Sequence, residues 1–128
     1  MNKKYLIFDF DWTLCFNWII PENIVNTLKK LSLNYSLFIT TRSSSRKTNE
    51  ILEKYWIKDL FEIVYGSEEV LKSIEHIKYF EDYSCDENFR EKAVIIWDWE
   101  IDRNLASESK IEFIYVWGDI KSITEINL

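Results

Sequence analysis

The feature that most constrains the fold is a short apolar run that ends in two carboxylates. Tyr5 to Phe8 are four consecutive large apolar residues, and Asp9 and Asp11 follow them, two positions apart. A run that is apolar on both faces is typical of a central strand in a parallel sheet, because helices cover such a sheet on both sides. In open α/β sheets, ligands bind outside the carboxyl ends of the strands, so both carboxylates are candidate site residues. Taken alone, the pair is explained equally well as a solvated strand end.

Apolar runs and helical stripes alternate along the rest of the chain. Strands are predicted at residues 4–9, 35–39, 61–65, 93–96 and 111–116, and helices at 21–32, 45–55, 67–83 and 100–108. This alternation predicts an α/β fold, a doubly wound parallel five-stranded sheet with right-handed crossovers. Ser67 is the predicted N-cap of the third helix, which places Lys72 in its first turns. The 128 residues are predicted to form a single domain, residues 1–128.

The polar residues that end these strands are expected to meet at one edge of the sheet. The first strand ends in Asp9 and Asp11, and the second ends in Thr40. The fourth ends in Asp98, with Asp102 one helical turn further on. A cluster of carboxylates with a nearby lysine provides the oxygen ligands that Mg²⁺ prefers, and the cation allows a phosphate to approach acidic side chains. The sequence therefore predicts a site for Mg²⁺ and a phosphate.

Four ordered motifs across nearly the whole chain resemble those of the haloacid dehalogenase superfamily. Residues 9–13, Asp-Phe-Asp-Trp-Thr, resemble the family's DxDGT, and residues 36–40 resemble the second motif, an apolar strand that ends in Ser or Thr. Lys72, with Gly66 and Ser67 before it, resembles the third-motif lysine, and residues 97–102, Trp-Asp-Trp-Glu-Ile-Asp, resemble GDxxxD. The resemblance implies the Rossmann-like core of this family and a phosphatase-type hydrolase.

The resemblance also implies a catalytic role for each motif residue, in phosphomonoester hydrolysis through an aspartyl-phosphate. Asp9 is then the nucleophile, and Asp11 protonates the leaving oxygen and later activates water. Thr40 hydrogen-bonds a phosphoryl oxygen, and Lys72 offsets the negative charge. Lys78 lies on the same predicted helix. The choice between the two lysines therefore stays open at this point.

The resemblance implies Mg²⁺ as the cofactor and a phosphorylated substrate. The implied metal-site residues are Asp9, Asp11 through its backbone carbonyl, Asp98, and Asp102 as a ligand or as a support for one. Thr41 and Arg42 are expected to bind the substrate. A phosphoacceptor receiver domain of similar size is the main structural alternative, but it needs an aspartate at the end of the third strand, where Tyr65 and Gly66 stand.

The segments between the motifs leave no room for a cap domain. Residues 14–39 and 41–71 are already assigned to helix and strand, and family members insert their caps in these two places. The resemblance then implies an open site that accepts a bulky substrate. A homo-oligomer in which a neighbouring copy covers the site is the alternative.

The low glycine count and the high tryptophan count belong together. The chain has 2 Gly and 6 Trp, although average glycine usage is about 7%. Trp18 follows Asn17, where Asn-Gly would predict a tight hairpin, and Trp56 ends a helix, where a left-handed cap favours glycine. We hypothesise that five tryptophan codons are UGA, decoded as glycine in the source organism: Trp12, Trp18, Trp56, Trp97 and Trp99. The alternative is a genuinely Trp-rich chain, a catalytically silent binding module whose motif glycines are replaced.

The composition argues against several classes of partner. The net charge of −6 disfavours binding to nucleic acid or to an anionic membrane. No apolar run approaches the roughly 20 residues that span a membrane. Cys15 and Cys85 form neither a metal-type pair nor a disulfide framework, which favours a cytoplasmic location. These cysteines and the single histidine, His76, are interpreted as structural.

Overall fold

A five-stranded parallel sheet forms the centre of the molecule. The computed structural model of the chain is described for residues 2–68, 72–97 and 100–116, with residues 100–103 as backbone alone. The strands are β1 (Tyr5–Phe8), β2 (Ser36–Thr40), β3 (Phe61–Tyr65), β4 (Ala93–Trp97) and β5 (Glu112–Tyr115). Their order in the sheet is β3-β2-β1-β4-β5, and all neighbouring pairs are parallel. The predicted α/β fold is confirmed.

Helices cover both faces of this sheet. They are α1 (Glu22–Leu31), α2 (Ser45–Lys54), α3 (Ile74–Ser84), α4 (Phe89–Lys92) and α5 (Glu100–Ser109). One buried cluster joins the sheet to α1 and α2, and a second joins it to α3, α4 and α5. Alternate residues of β1 enter the two clusters, Leu6 and Phe8 the first and Ile7 the second. This is why its sequence is apolar without interruption, as predicted.

The register of β1 sets the position of the candidate site. Phe8 pairs with Ile39 on one side and with Ile96 on the other. Asp9 therefore leaves the sheet beside Thr40 and the end of β4, and its N–H donates to the Ile96 carbonyl at 3.2 Å. The carboxyl ends of the three central strands thus share one edge, as the sequence predicts.

The third helix begins later than predicted. α3 starts at Ile74, and the hydroxyl of Ser73 caps it. The hydroxyl of Ser67 instead donates to the Thr41 carbonyl at 2.8 Å and accepts the Lys72 N–H at 3.1 Å. The predicted start at residue 67 was wrong because both serines satisfy the capping pattern, and tertiary contacts recruit the first one into a loop. Lys72 therefore lies in this loop and not in the helix.

The sequence also predicts a polar loop at 84–91, and this segment contains an additional core residue. Phe89 opens the four-residue α4 and is fully buried, with its ring 4.7 Å from that of Tyr5. The sequence also allows a short helical turn in the tail after residue 116, which falls outside the described residues. In the part of the chain that is described, none of the helices has the length and apolar character needed to cross a membrane.

Candidate active site

The centre of the site is an ion pair between the first strand and the loop before α3. Lys72 Nζ lies 3.0 Å from Asp9 Oδ1. The pair is enclosed, since the Lys72 and Asp9 side chains expose 5% and 13% of their surface. Lys78, the alternative lysine, is exposed on α3. The fold thus brings Lys72, and not Lys78, to the predicted nucleophile.

The loop that carries Lys72 docks against the start of α2 without room for a side chain. A Cβ on Gly66 would lie 2.7 Å from the Ser43 carbonyl oxygen and 2.8 Å from the Ser44 carbonyl carbon, closer than Cβ atoms approach backbone. Glu68 then accepts hydrogen bonds from the N–H of Ser45, at 2.6 Å, and from its hydroxyl. These bonds lower the pKa of the Glu68 carboxyl. The loop is thereby fixed to the helix.

Asp11 lies at the rim of the site, on a tight loop after β1. Its side chain is exposed, and Oδ2 accepts the Ser43 hydroxyl at 2.8 Å. The Phe10 carbonyl closes the loop by accepting the N–H groups of residues 13, 14 and 15, at 3.2, 2.9 and 3.1 Å. Trp12 lies within this turn. The second predicted carboxylate is thus accessible to solvent, whereas the first is enclosed.

Thr40 has a partner that the sequence analysis did not identify. Its Oγ1 lies 2.7 Å from Nδ1 of His76, and both residues are fully buried. The His76 ring also packs on Tyr65, with ring centres 4.3 Å apart. This contact joins α3 to the end of β2 across 36 residues of sequence, and no local sequence pattern signals it.

The two predicted substrate-binding residues lie in different environments. Thr41 is fully buried, its N–H donates to the Tyr65 carbonyl at 3.0 Å, and its hydroxyl oxygen accepts the Ser43 N–H at 3.1 Å. Arg42 is exposed. A role in substrate binding stays a prediction for both.

The described donors suit a hard cation. Asp9 and Asp11 are carboxylates at the carboxyl edge of the sheet, and oxygen is the ligand type that Mg²⁺ prefers. Asp98 lies outside the described residues, and the side chain of Asp102, on α5, is not described. Among the side chains that are described, no group of three or more His, Cys, Asp and Glu is placed to hold a metal. The residues present therefore fit part of the predicted set.

Three of the five singled-out tryptophans have the backbone conformation that favours glycine. The φ angles are 63° at Trp12, 68° at Trp18 and 61° at Trp56. Asn17, with φ of 52°, and Trp18 form a two-residue turn, closed by both backbone hydrogen bonds between residues 16 and 19. The sequence-based expectation of left-handed backbone at Trp18 and Trp56 is confirmed.

Trp97 differs from these three. It lies in β4 and is not among the described residues with positive φ. Its indole is fully buried, and its ring centre lies 4.5 Å from Lys72 Nζ. Among the described residues, Nε1 has no hydrogen-bond partner. The ring thus occupies space beside the Asp9–Lys72 pair. Trp99 falls outside the described residues.

Comparison with known proteins identifies the family of the chain. The family model described as haloacid dehalogenase-like hydrolase matches residues 19–116. The matched range begins after the first motif, so Asp9 and Asp11 lie outside it. A search of curated protein sequences finds no significant match.

Solved structures share the fold over most of the chain. A haloacid dehalogenase-like hydrolase from Bacteroides fragilis superposes with a TM-score of 0.82 at 14% identity, covering 91% of this chain and 89% of that one. The core domain of a proposed phosphoglycolate phosphatase from Streptococcus pneumoniae has a TM-score of 0.70 at 22% identity, covering 99% and 98%. The phosphatase-containing N-terminal part of another Bacteroides fragilis protein, complexed with Mg, has a TM-score of 0.71 at 16% identity, covering 93% and 37%. At these identities the likeness establishes the fold.

Proposed function

The chain belongs to the haloacid dehalogenase-like hydrolase family, and we propose that it is an Mg²⁺-dependent phosphomonoesterase that works through an aspartyl-phosphate. The observation that carries this proposal is the enclosed Asp9–Lys72 pair, 3.0 Å apart at the carboxyl edge of the sheet, with Asp11 two residues on. The similar structures described as a phosphoglycolate phosphatase and as a phosphatase domain with Mg support it.

The proposed reaction has two displacement steps. In the first, a carboxylate oxygen of Asp9 attacks phosphorus, the bond from phosphorus to the leaving oxygen breaks, and Asp11 gives that oxygen a proton. In the second, Asp11 takes a proton from water as the water oxygen attacks phosphorus. The bond from phosphorus to Asp9 then breaks, which releases inorganic phosphate and restores the Asp9 carboxylate and the protonated Asp11 carboxyl.

The surrounding groups compensate charge. The Lys72 ammonium lies where the negative charges of the nucleophile and the phosphoryl group meet, and the enclosed setting strengthens its effect. The Thr40 hydroxyl is the donor to a phosphoryl oxygen. Asp9, the Asp11 carbonyl, Asp98 and Asp102 would hold Mg²⁺, whose positive charge would allow a phosphate dianion to approach two aspartates.

The substrate is proposed to be bulky. In the described residues, β1 and β2 are joined through α1, and β2 and β3 through α2 and a 3₁₀ turn at Lys58–Leu60, with no inserted cap unit. A site without a cap is open to a large phosphorylated molecule. A second copy of the chain acting as a cover is the alternative arrangement.

Phosphate release from an aryl phosphate, with and without Mg²⁺, tests the function. Asp9→Asn removes the nucleophile and is expected to abolish release, and Asp11→Asn is expected to lower it by about 10²- to 10⁴-fold. Asp59→Asn is the matched control, because Asp59 is an exposed carboxylate before β3, at the opposite edge of the sheet. Release that survives Asp9→Asn, or that needs no divalent cation, contradicts the proposal.

One observation favours a second function, a catalytically silent binding module. The Trp97 ring lies against Lys72 beside the nucleophile, and a chain with tryptophan there has little space for a phosphate. The assay is therefore run on the sequence as printed and on a version with Gly at 12, 18, 56, 97 and 99. Release by the glycine version alone, lost in Asp9→Asn, supports the phosphatase, and saturable phosphate binding without release in both versions supports the silent module.

A further inference from the structure

We propose that positions 12, 18, 56 and 97 are glycine in the protein that the source organism makes, because their codons are UGA and are decoded there as glycine. This inference is independent of the proposed phosphatase activity. It rests on backbone conformation at three positions and on an unpaired buried group at the fourth.

The conformational argument is strongest at Trp56. The Trp56 N–H donates to the Glu53 carbonyl and the Ile57 N–H donates to the Leu52 carbonyl, each at 3.1 Å. These two bonds define the Schellman motif that ends α2, and Trp56 occupies the left-handed position in it, where glycine predominates. Its side chain is 90% exposed, so packing does little to compensate the unfavourable conformation.

Trp18 occupies a second position of this kind. Phe16 and Ile19 exchange backbone hydrogen bonds of 2.7 and 3.1 Å across Asn17 and Trp18, both of which have positive φ. Such a two-residue turn is the geometry for which Asn-Gly is the preferred sequence. The Trp18 side chain is 62% exposed, and Lys47 Nζ lies 5.9 Å from its ring centre.

The first motif contains a third position with left-handed backbone, at Trp12. Trp12 has φ of 63° inside the turn that directs Asp11 to the rim, and its ring is 56% exposed. For a residue with a Cβ, the left-handed conformation lowers the ratio of folded to unfolded molecules by about 5- to 30-fold. A chain that has such a residue at three tight turns, each with an exposed indole, is explained by glycine at all three.

Position 97 is included among the proposed glycines for a different reason. Buried Trp N–H groups almost always find an acceptor, yet Nε1 of Trp97 has no partner in the described structure. Its ring fills the space beside Lys72 and Asp9. Glycine at 97 removes the unpaired donor and opens that space at the end of β4.

The first test is chemical. The four codons in the gene are read, and tryptic peptides of the protein from its source cells are analysed by mass spectrometry. UGA codons and glycine masses at all four positions are expected. A UGG codon, or a tryptophan mass, at any of the four overturns the proposal for the set.

The second test is conformational and needs no source cells. Gly and Ala variants are made at 12, 18 and 56 in the full chain, and urea unfolding is measured. Gly is expected to exceed Ala in the folded-to-unfolded ratio by about 5- to 30-fold at each position. Leu33 is the control, an exposed apolar residue outside the positive-φ set, where Gly is expected to fall below Ala. Equal stability of Gly and Ala at 12, 18 and 56 removes the basis of the proposal.

A different observation carries a second inference: we propose that His76 is a positioning residue that directs the Thr40 hydroxyl proton towards the phosphate. This inference depends on the proposed function. A threonine hydroxyl has a single proton to donate. If that proton went to Nδ1 of His76, 2.7 Å away, Thr40 would have none left for a phosphoryl oxygen. Nδ1 must therefore carry a proton and donate it to Thr40 Oγ1.

The tautomer can be observed directly, because His76 is the only histidine in the chain. A long-range ¹⁵N–¹H spectrum of the labelled protein shows a single imidazole and is expected to report a protonated Nδ1. An unprotonated Nδ1 overturns the inference whether or not the protein is a phosphatase.

Kinetics separate positioning from packing. His76→Asn retains an N–H donor, whereas His76→Leu removes it. In the chain version that releases phosphate, Leu is expected to lower kcat by about tenfold or more, and Asn is expected to recover much of that loss. Equal losses in both variants, in proportion to lost stability, indicate a structural histidine and overturn the inference. Loss of the Asp9 dependence of release would instead contradict the proposed function.

Discussion

At the scale of single residues, Lys72 and Lys78 are two lysines that mutation can distinguish. Lys72 lies against Asp9, and Lys78 is exposed two helical positions after His76. We predict that Lys72→Met lowers Mg²⁺-dependent phosphate release by about 10²- to 10³-fold, since it removes a fixed positive charge from an enclosed site. Lys78→Met is the matched control and is expected to leave the rate unchanged. Similar rates for the two variants would exclude the proposed role of Lys72.

The two cysteines offer a second prediction at this scale. Cys15 is buried, and burial, together with the negative charge of Asp11, raises the pKa of its thiol to about 11. Cys85 is exposed. We predict that iodoacetamide at pH 8 modifies Cys85 and leaves Cys15 unmodified until the protein unfolds, as peptide mass spectrometry can determine. Rapid labelling of Cys15 in the folded protein would contradict the burial of this side chain.

At the scale of elements, the loop before α3 determines whether Lys72 reaches the site. We predict that Gly66→Ala lowers phosphate release by more than tenfold, because the added Cβ meets the backbone of Ser43 and Ser44 and displaces the loop. The stability of the fold, measured in parallel by thermal unfolding, is expected to change less than the rate of phosphate release. Leu33→Ala, in the turn before β2, is the control for a loop at the opposite edge. Wild-type activity in Gly66→Ala would show that the close packing is dispensable.

The elements also show where the sequence was sufficient and where it was not. Strand β1 was predictable because both of its faces are buried, and so was β4. The start of α3 was not, since Ser67 and Ser73 are equally good caps and the contact of Ser67 with Thr41 lies 26 residues away in sequence. The contact of His76 with Thr40 was missed for a different reason, because it is defined by the packing of α3 on β2.

At the scale of the whole molecule, parallel topology accounts for most of the site that the sequence predicted. Parallel strands of one sheet end at the same edge, so Asp9 and Thr40 were expected to lie close together. In the structure they stand at the ends of two adjacent strands. The enclosure of Asp9 and the loop that delivers Lys72 depend on contacts between segments distant in sequence, which local patterns do not encode. Asp98 and Asp102 remain predictions.

One long-range hydrogen bond ties the first strand to the other end of the fold. The Tyr5 hydroxyl donates to Asp86 Oδ2 at 2.8 Å, and Lys92 Nζ lies 3.1 Å from the same oxygen. Burial, and then Asp86, raises the pKa of Tyr5 to about 12. The Tyr5 hydroxyl, more than any other neighbour, lowers the pKa of Asp86 to about 2. This pair couples β1 to the segment between α3 and α4.

The pair predicts a pH dependence of stability at both extremes. Asp86 takes up a proton at its ordinary pKa of 3.8 in the unfolded chain, whereas its pKa in the folded protein is about 2. Its contribution to the stability of the fold is therefore lost as pH falls between these two values. The unfolded Tyr5 loses its proton near 10 and the folded one near 12, so its contribution is lost as pH rises through that interval. Urea unfolding of wild type and Tyr5→Phe across both windows measures this.

Tyr5→Phe is expected to abolish the alkaline decline that Tyr5 causes and to reduce the acid one, because Asp86 keeps its Lys92 partner. Asp86→Asn is expected to remove the acid contribution and to weaken the alkaline one, since burial alone then raises the pKa of Tyr5. Tyr5→Phe therefore acts mainly on the alkaline loss of stability, and Asp86→Asn acts mainly on the acid loss. A general loss of packing would not separate the two pH ranges in this way. Identical pH profiles for wild type and both variants would mean that the bond does not contribute to folding, and that β1 is held to this part of the molecule by apolar contacts such as that of Tyr5 with Phe89.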